Sequence, residues 1–418
     1  MDLGKYSFGI GDRFGHQGKA QLTALLKAKA AGLDITPVWN KSHREHSIIG
    51  TQPGDVRREA DAAIAALAWD APYFVDADHI GMGNVDHFLE ASDFFTLDVA
   101  DFIGHLAGVT EVNAFVKKHS ALIGTRAIDG IAESFEVSEA DLQSIASKYL
   151  VAIEEAGRIY RHIASSKGAG SFITEVSMDE TDAPQTPIEM LVILAAIADQ
   201  GIPAQTVAPK FSGRFNKGVD YAGDVEAFAR EFEQDVAVLA FAAKEFGLPD
   251  DLKLSVHSGS DKFSIYGPIR RALAKFNAGV HIKTAGTTWL EELIGLASAG
   301  GEGLVIAQEV YAQALGRMDE LCGPYATVID IDPSALPSAA EVKLWDGETF
   351  ASTLRHDQVC ERYNPSFRQL LHVGYKVAAE MGRRFRDALG TYEETVAGHV
   401  TANIYDRHVR PLFQEGSA

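Results

Sequence analysis

The stretch PYFVDADHIGMG, residues 72–83, has an apolar run that passes directly into Asp76, Asp78 and His79 and then into two glycines. The run is of strand length, and Gly81 and Gly83 let the backbone turn sharply where it ends. Chemistry-bearing side chains thus stand at the carboxyl end of a strand. The same form recurs along the chain. YSFGIG from Tyr6, DITPVWN from Asp34 and DFFTLDV from Asp93 are further candidate strands, followed by SFITEVS from Ser171 and AQTVAPK from Ala204. KLSVHSG from Lys253 and GVHIKTAG from Gly279 bring the set to eight. Between most of them lies a run of helical period, such as GKAQLTALLKAKAAG, TPIEMLVILAAIADQG or DVEAFAREFEQDVAVLAFAAKEFG, ending near a Gly or an Asp-rich stop.

Eight βα units in succession, with strands apolar enough to be covered, predict an α/β fold of the (β/α)8 TIM-barrel type. A doubly wound open sheet is the competing arrangement. Seven of the eight runs end in polar or charged groups: Asp12-Arg13, Asn40-Lys41, Asp76/Asp78/His79, Glu175, Lys210, His257 and Lys283. A barrel gathers such ends at one mouth, whereas an open sheet spreads them along an edge. The barrel is therefore expected over residues 1–300. A helical insertion is expected at about 99–168, its long helix opening on the capping pattern Ser138-Glu139-Ala140-Asp141. Residues 301–418 read as a helical extension that packs on the barrel and is a candidate lid.

Composition narrows the function classes. The 418 residues carry a formal charge of −20, the opposite of the basic face that a nucleic-acid partner requires. Cys322 and Cys360 are too few for a disulfide framework, which suits a reducing compartment. The opening MDLGKYSFGIGDRFG lacks the basic and apolar regions of a signal peptide, and no apolar run approaches about 18 residues. A soluble cytoplasmic enzyme of a small molecule is expected, with no membrane or nucleic-acid partner; homo-oligomerisation is left open.

Gly9-Ile10-Gly11-Asp12-Arg13-Phe14-Gly15 lies between a strand and a helix, as a dinucleotide fingerprint does. Phe14 stands where the third glycine belongs, and Asp12 and Arg13 are foreign to a pyrophosphate turn, so nicotinamide binding is not expected. Asp78, His79, Glu175 and His257 come from the third, fifth and seventh strands. Together they make a three- or four-ligand divalent site with an open position, although a capping Asp, a buried Glu–Arg pair or a core His would explain each alone. Lys210 and Lys283 at strand ends suit an anionic substrate, a Schiff base or a developing alkoxide. Ser258, Ser260 and Asp261 can read hydroxyls, and Arg355 or Arg368 of the extension can clamp a carboxylate.

The segments YSFGIGDRFGHQGKAQL, PVWNKSHREH, FVDADHIGMGNVD, PKFSGRFNKGVDYAGD, SVHSGSDKFSIY, IKTAGTTWLEE and YNPSFRQLLHVGYKVAAEMG, in this order, resemble the tagaturonate epimerase family. The likeness runs from the first strand to about residue 385. It implies a metal-dependent isomerase of hexuronate catabolism that interconverts D-tagaturonate and D-fructuronate. These ketouronates differ at a carbinol carbon β to the ketone, which leaves transient hydride removal on a nicotinamide or retro-aldol cleavage and re-addition; with the dinucleotide fingerprint failing, the retro-aldol route is expected. With that chemistry, the strand-end residues Asp78, Glu175 and Lys210 are catalytic candidates. Asp12, Arg13, Lys41, Ser258, Asp261, Lys283 and Arg355 become candidates for substrate binding, and His79, Glu175 and His257 for a divalent Zn, Mn, Co or Ni ion. A sugar-acid aldolase or ketose isomerase would use nearly the same residues. A non-catalytic sugar-acid binding protein would have little use for them.

Overall fold

The structure is a computed structural model that describes residues 1–284 and 287–414. Eight parallel strands close into a barrel: β1 (Tyr6–Gly11), β2 (Ile35–Ser42), β3 (Phe74–Ile80), β4 (Phe94–Asp98), β5 (Ile173–Ser177), β6 (Thr206–Ala208), β7 (Lys253–His257) and β8 (Val280–Lys283). Each of the eight apolar runs read from the sequence overlaps one of these strands, and β2 and β3 continue two residues past the end of theirs. The end of the last run, Ala285 and Gly286, lies outside the described residues. The ring closes where Tyr6 pairs with Val280 and Gly9 with Lys283.

Alternate residues of a strand share one face, so the barrel interior is built in layers. Leu3, Val38, Phe74, Phe94 and Ile173 form an apolar cluster at the amino-terminal end. Two residues further along the strands come Asp76, Thr96 and Glu175. Asp78, Asp98, His257 and Lys283 follow at the mouth. The change from apolar to ionised side chains over four residues of strand sets where chemistry is available. Burying carboxylates is costly unless they are paired, and this stack pairs them.

The β1 turn shows why its glycines stand where they do. A Cβ at Gly9 would come within 2.8 Å of Lys283 Cγ, so this glycine makes room for the lysine of the neighbouring strand. Asp12 folds the following loop onto itself. Its carboxylate accepts from the backbone N–H groups of Phe14 (3.0 Å), Gly15 (2.9 Å), His16 (2.9 Å) and Gln17 (2.5 Å).

Between β4 and β5 the chain forms a helix (Val109–Lys118), a small antiparallel hairpin (Gly124–Arg126 with Phe135–Val137) and the long helix Glu139–Lys167. The hairpin was not legible in the sequence, since each arm has three residues. Ser138 does cap the long helix: its hydroxyl accepts from Asp141 N, and the Asp141 carboxylate accepts from Ser138 N. Past the helix Thr287–Ala299, the described part of the extension is helical and lies against the barrel. Trp289 donates to Leu371 O at 2.7 Å, and the helix Glu393–Ala402 approaches so closely that a Cβ at Gly295 would lie 2.7 Å from Val396 Cα. No helix among the described residues is long and apolar enough to cross a membrane.

Candidate active site at the barrel mouth

A cavity of about 360 Å³ opens at the carboxyl ends of the strands, roofed by Tyr325, His372 and Tyr375 of the extension. The third strand supplies two neighbouring residues to it, which an ideal strand cannot do. The pairing of β3 with β4 slips between Ala77 and Ile80, and His79 takes a left-handed backbone conformation with φ 51°. That bulge turns His79 to the same side as Asp78.

His79 and His257 meet edge to face, ring centroids 5.1 Å apart, and each is backed by a carboxylate. Asp98 Oδ2 lies 3.0 Å from His79 Nδ1, and Glu175 Oε1 lies 2.7 Å from His257 Nε2. Both ring nitrogens can donate to these carboxylates, and in the neutral rings that a metal ion requires the opposite nitrogens would offer lone pairs. His257 Nδ1 is buried without a hydrogen bond, lying 3.2 Å from Asp179 Oδ2 but out of hydrogen-bond alignment. One ligand atom each of His79, Asp179 and His257 lies within 4.8 Å of the others. Two imidazoles and a carboxylate, with outer carboxylates fixing the rings, suit Zn, Mn, Co or Ni. A second grouping, His79 with Asp98 and Glu180, overlaps the first. Without a cation the cluster favours protons: burial opposes it, but Asp179 and Glu175 push His257 up to about 9.

Beside the imidazoles Lys283 joins three carboxylates, lying 2.7 Å from Asp76 Oδ2, 2.9 Å from Asp78 Oδ1 and 3.0 Å from Glu175 Oε1. Burial acts against its charge, yet these three anions hold its pKa well above the ordinary lysine value. A Schiff base requires a neutral amine, so this lysine is suited to balancing negative charge. The carboxylates divide the cation unevenly. Asp78, against the cost of burial, is held at about 2 by Lys283, His79 and His257. Asp76, deeper in, is pushed up to about 7 by burial despite Lys283. Thr96 links the layer, donating to Asp76 at 3.0 Å within reach of Glu175 at 3.2 Å.

The opposite wall is cationic and aromatic. Arg13 lies 3.3 Å from Glu45 and stacks over Tyr375 at 4.5 Å, while Arg44 lies over Tyr325 at 5.2 Å. The two tyrosine hydroxyls are 3.1 Å apart. Lys217 and His372 complete this side.

Of the residues singled out in the sequence, Arg13, Asp78, His79, His257 and Lys283 line the cavity. Glu175 is fully buried beneath it, behind His257 rather than beside Asp179. Lys41 reaches back to Arg13 O at 2.6 Å, and Ser258 donates to Lys283 O at 2.6 Å. Asp12 is engaged in its own loop. Asp261 is enclosed by Arg368, His356, His408 and Thr287. Lys210 and Arg355 lie off the cavity lining, Arg355 just past the helix Gly347–Leu354. The sequence reading passed over Asp98, Asp179, Lys217 and His372. Asp98 had a visible signal, since it is the penultimate residue of the fourth run, the one run treated as lacking a polar terminus. Asp179 stands two residues past β5, within a loop that strand patterning does not reach.

A sequence model of a family described as "UxaE: tagaturonate epimerase" matches residues 1–409. A Thermotoga maritima protein named Tagaturonate/fructuronate epimerase is 29% identical, the match covering 95% of this chain and 80% of that protein. A two-glycerol crystal structure of fructuronate-tagaturonate epimerase UxaE from Cohnella laeviribosi superposes with a TM-score of 0.81 at 25% identity, covering 99% of this chain and 82% of that one. The native crystal structure of the same enzyme gives 0.78 at 25% identity, covering 98% and 81%.

Proposed function

The chain belongs to the tagaturonate epimerase family, and from that premise we propose that it is a divalent-metal-dependent isomerase interconverting D-tagaturonate and D-fructuronate by retro-aldol cleavage and re-addition. The observation that carries the metal-dependent part is that ligand atoms of His79, Asp179 and His257 all lie within 4.8 Å of one another while Glu175 holds the other side of the His257 ring. His79, Asp179 and His257 would hold the ion, with Asp98 and Glu175 fixing the imidazoles behind them. When bound, a divalent cation supplies Lewis-acid stabilisation for negative charge building on substrate oxygens.

The chain's own groups account for the proton and the charge. Asp78, ionised and at the cavity wall, takes the proton of the carbinol hydroxyl β to the ketone. As the hydroxyl becomes an aldehyde carbonyl, the adjacent carbon–carbon bond breaks and its electron pair passes to the ketone fragment as an enediolate. The Lys283 ammonium, 2.9 Å from Asp78, balances this charge. Because Lys283 also touches Asp76, whose carboxyl sits near 7, a proton taken at Asp78 can be relayed to Asp76 and returned. The aldehyde turns, the enediolate adds to its other face, and the proton goes back to the new alkoxide.

Both fragments must stay in the cavity through the turn. Tyr325 and Tyr375, hydrogen-bonded across its opening, support a lid role for the extension. The barrel with its insertion is then the catalytic unit and residues 301–418 the cover. The free thiols of Cys322 and Cys360 suit a cytoplasmic setting.

The test is turnover of D-fructuronate by dialysed enzyme. D-tagaturonate should form without persistent three-carbon products, chelation should abolish the reaction, and Mn, Zn, Co or Ni should restore it. Full activity at exhaustive chelation would refute the metal role, and accumulating fragments would make the enzyme an aldolase.

A further inference from the structure

The cavity lining includes an ammonium with no anion assigned to it. Lys217 Nζ has neither a hydrogen bond nor an ion pair among the described residues, although it borders the cavity. Its position is fixed by the backbone. Lys217 N donates to Val328 O at 2.8 Å, and Gly218 N donates to Ser260 Oγ at 2.9 Å. Gly218 O accepts from Arg368 Nε at 2.5 Å. From within, the fully buried Lys262 ammonium donates to Asn216 O (3.0 Å) and Val219 O (2.8 Å). A Cβ at Gly218 would lie 3.3 Å from His372 Cβ, so this loop is pressed against the extension helix that carries His372.

Five hydrogen bonds to a four-residue loop leave little freedom to its backbone. Holding a lysine so firmly beside a cavity, with its charge unused, points to a ligand. His372 adds a second group. It is buried, its Nε2 lacks a partner, and burial together with the Arg13 and Lys217 charges keeps its ring neutral. A neutral imidazole still offers an N–H donor. Asp78, Asp98 and Asp179 also line the cavity, and an anion is disfavoured beside them.

We propose that Lys217, with His372 beside it and Arg13 on the same wall, binds the carboxylate of the sugar acid and sets the preference for ketouronates over uncharged ketohexoses. The inference rests on the epimerase reading for its substrate and deepens it. In a ketouronate the carboxylate stays on the aldehyde fragment after cleavage. An anchor at that end holds the fragment while leaving rotation about its internal carbon–carbon bond. Retention and inversion then follow from one contact.

The test compares metal-loaded wild type with Lys217→Met, which keeps the aliphatic stem, and with Lys217→Arg, which keeps the charge. Equilibrium binding of D-fructuronate and D-fructose is measured for each, with turnover of D-fructuronate. Loss of a charge-assisted contact should reduce the preference for D-fructuronate over D-fructose by about 10- to 100-fold in Lys217→Met. Lys217→Arg should recover part of it. Equal weakening of both sugars, or an unaltered preference, overturns the anchor, as does a wild type with no preference. A wild type that prefers D-fructuronate but leaves it unconverted overturns the epimerase reading alone.

Discussion

Asp261 offers the most demanding test of how the barrel and its extension are joined. Its carboxylate lies 2.9 Å from Arg368 Nη2, 3.1 Å from His356 Nδ1, 3.0 Å from His408 Nε2 and 3.1 Å from Thr287 Oγ1. The ion-paired side chains are all fully enclosed. One barrel loop, the last barrel helix and two parts of the extension therefore converge on one anion. Asp261→Ala leaves Arg368 with its bonds to Gly218 O and Leu354 O but without a counter-charge. Breaking a buried pair from one side costs about 3–5 kcal/mol, and the stranded histidine and threonine donors raise the expected loss to about 4–6 kcal/mol. Asp261→Asn should lose most of this as well, since its amide turns a donor toward donors. A chain of 418 residues has an unfolding entropy near 0.9 kcal/mol/K, so the melting temperature should fall by about 5 °C. Denaturant titration followed by circular dichroism reads the change. A difference within about 0.5 kcal/mol of wild type would refute the reasoning. The sign with pH is fixed too. Burial works against the charge, but Arg368, His356 and His408 hold Asp261 well below the ordinary 3.8. Its contribution is complete above about pH 4 and lost as the pH falls further, so the gap between variant and wild type should shrink there.

Two further substitutions separate supporting roles from direct ones. Asp98→Ala removes the acceptor at His79 Nδ1 but leaves the three grouped donors, so divalent-ion affinity should fall about 10- to 100-fold with near-normal stability, as read by competition with a chelating dye; unchanged affinity would mean that Asp98 does not orient the ring. Lys283→Met leaves Asp76, Asp78 and Glu175 facing one another, and should lower kcat by at least about 100-fold while raising the pH at which these acids titrate. Retained kcat would remove Lys283 from the charge-balancing role.

The barrel was legible because burial on both faces forces each strand into an apolar run, and the run ends where the mouth begins. His257 and Lys283 could be read at strand termini for that reason. Asp261 could not be separated from a sugar-binding residue, because its partners His356, Arg368 and His408 lie 95 to 147 positions away. Asp179 and Lys217 lie in loops, where sequence period carries no direction. Glu175 was read as a ligand, and the structure buries it behind His257; the difference between facing the cavity and bracing an imidazole is a few ångströms of register.

The bulge at His79 ties the site to the stability of the whole molecule. A left-handed backbone costs an imidazole residue about 1 kcal/mol or more and a glycine almost nothing. The fold thus carries a small standing tension at the point where it is useful. Selection for robustness alone would relax this position and lose an imidazole from the cavity, so a gain in thermal resistance here would accompany loss of function. Efforts to harden this scaffold have reason to leave the third strand untouched and to begin at the amino-terminal end of the barrel.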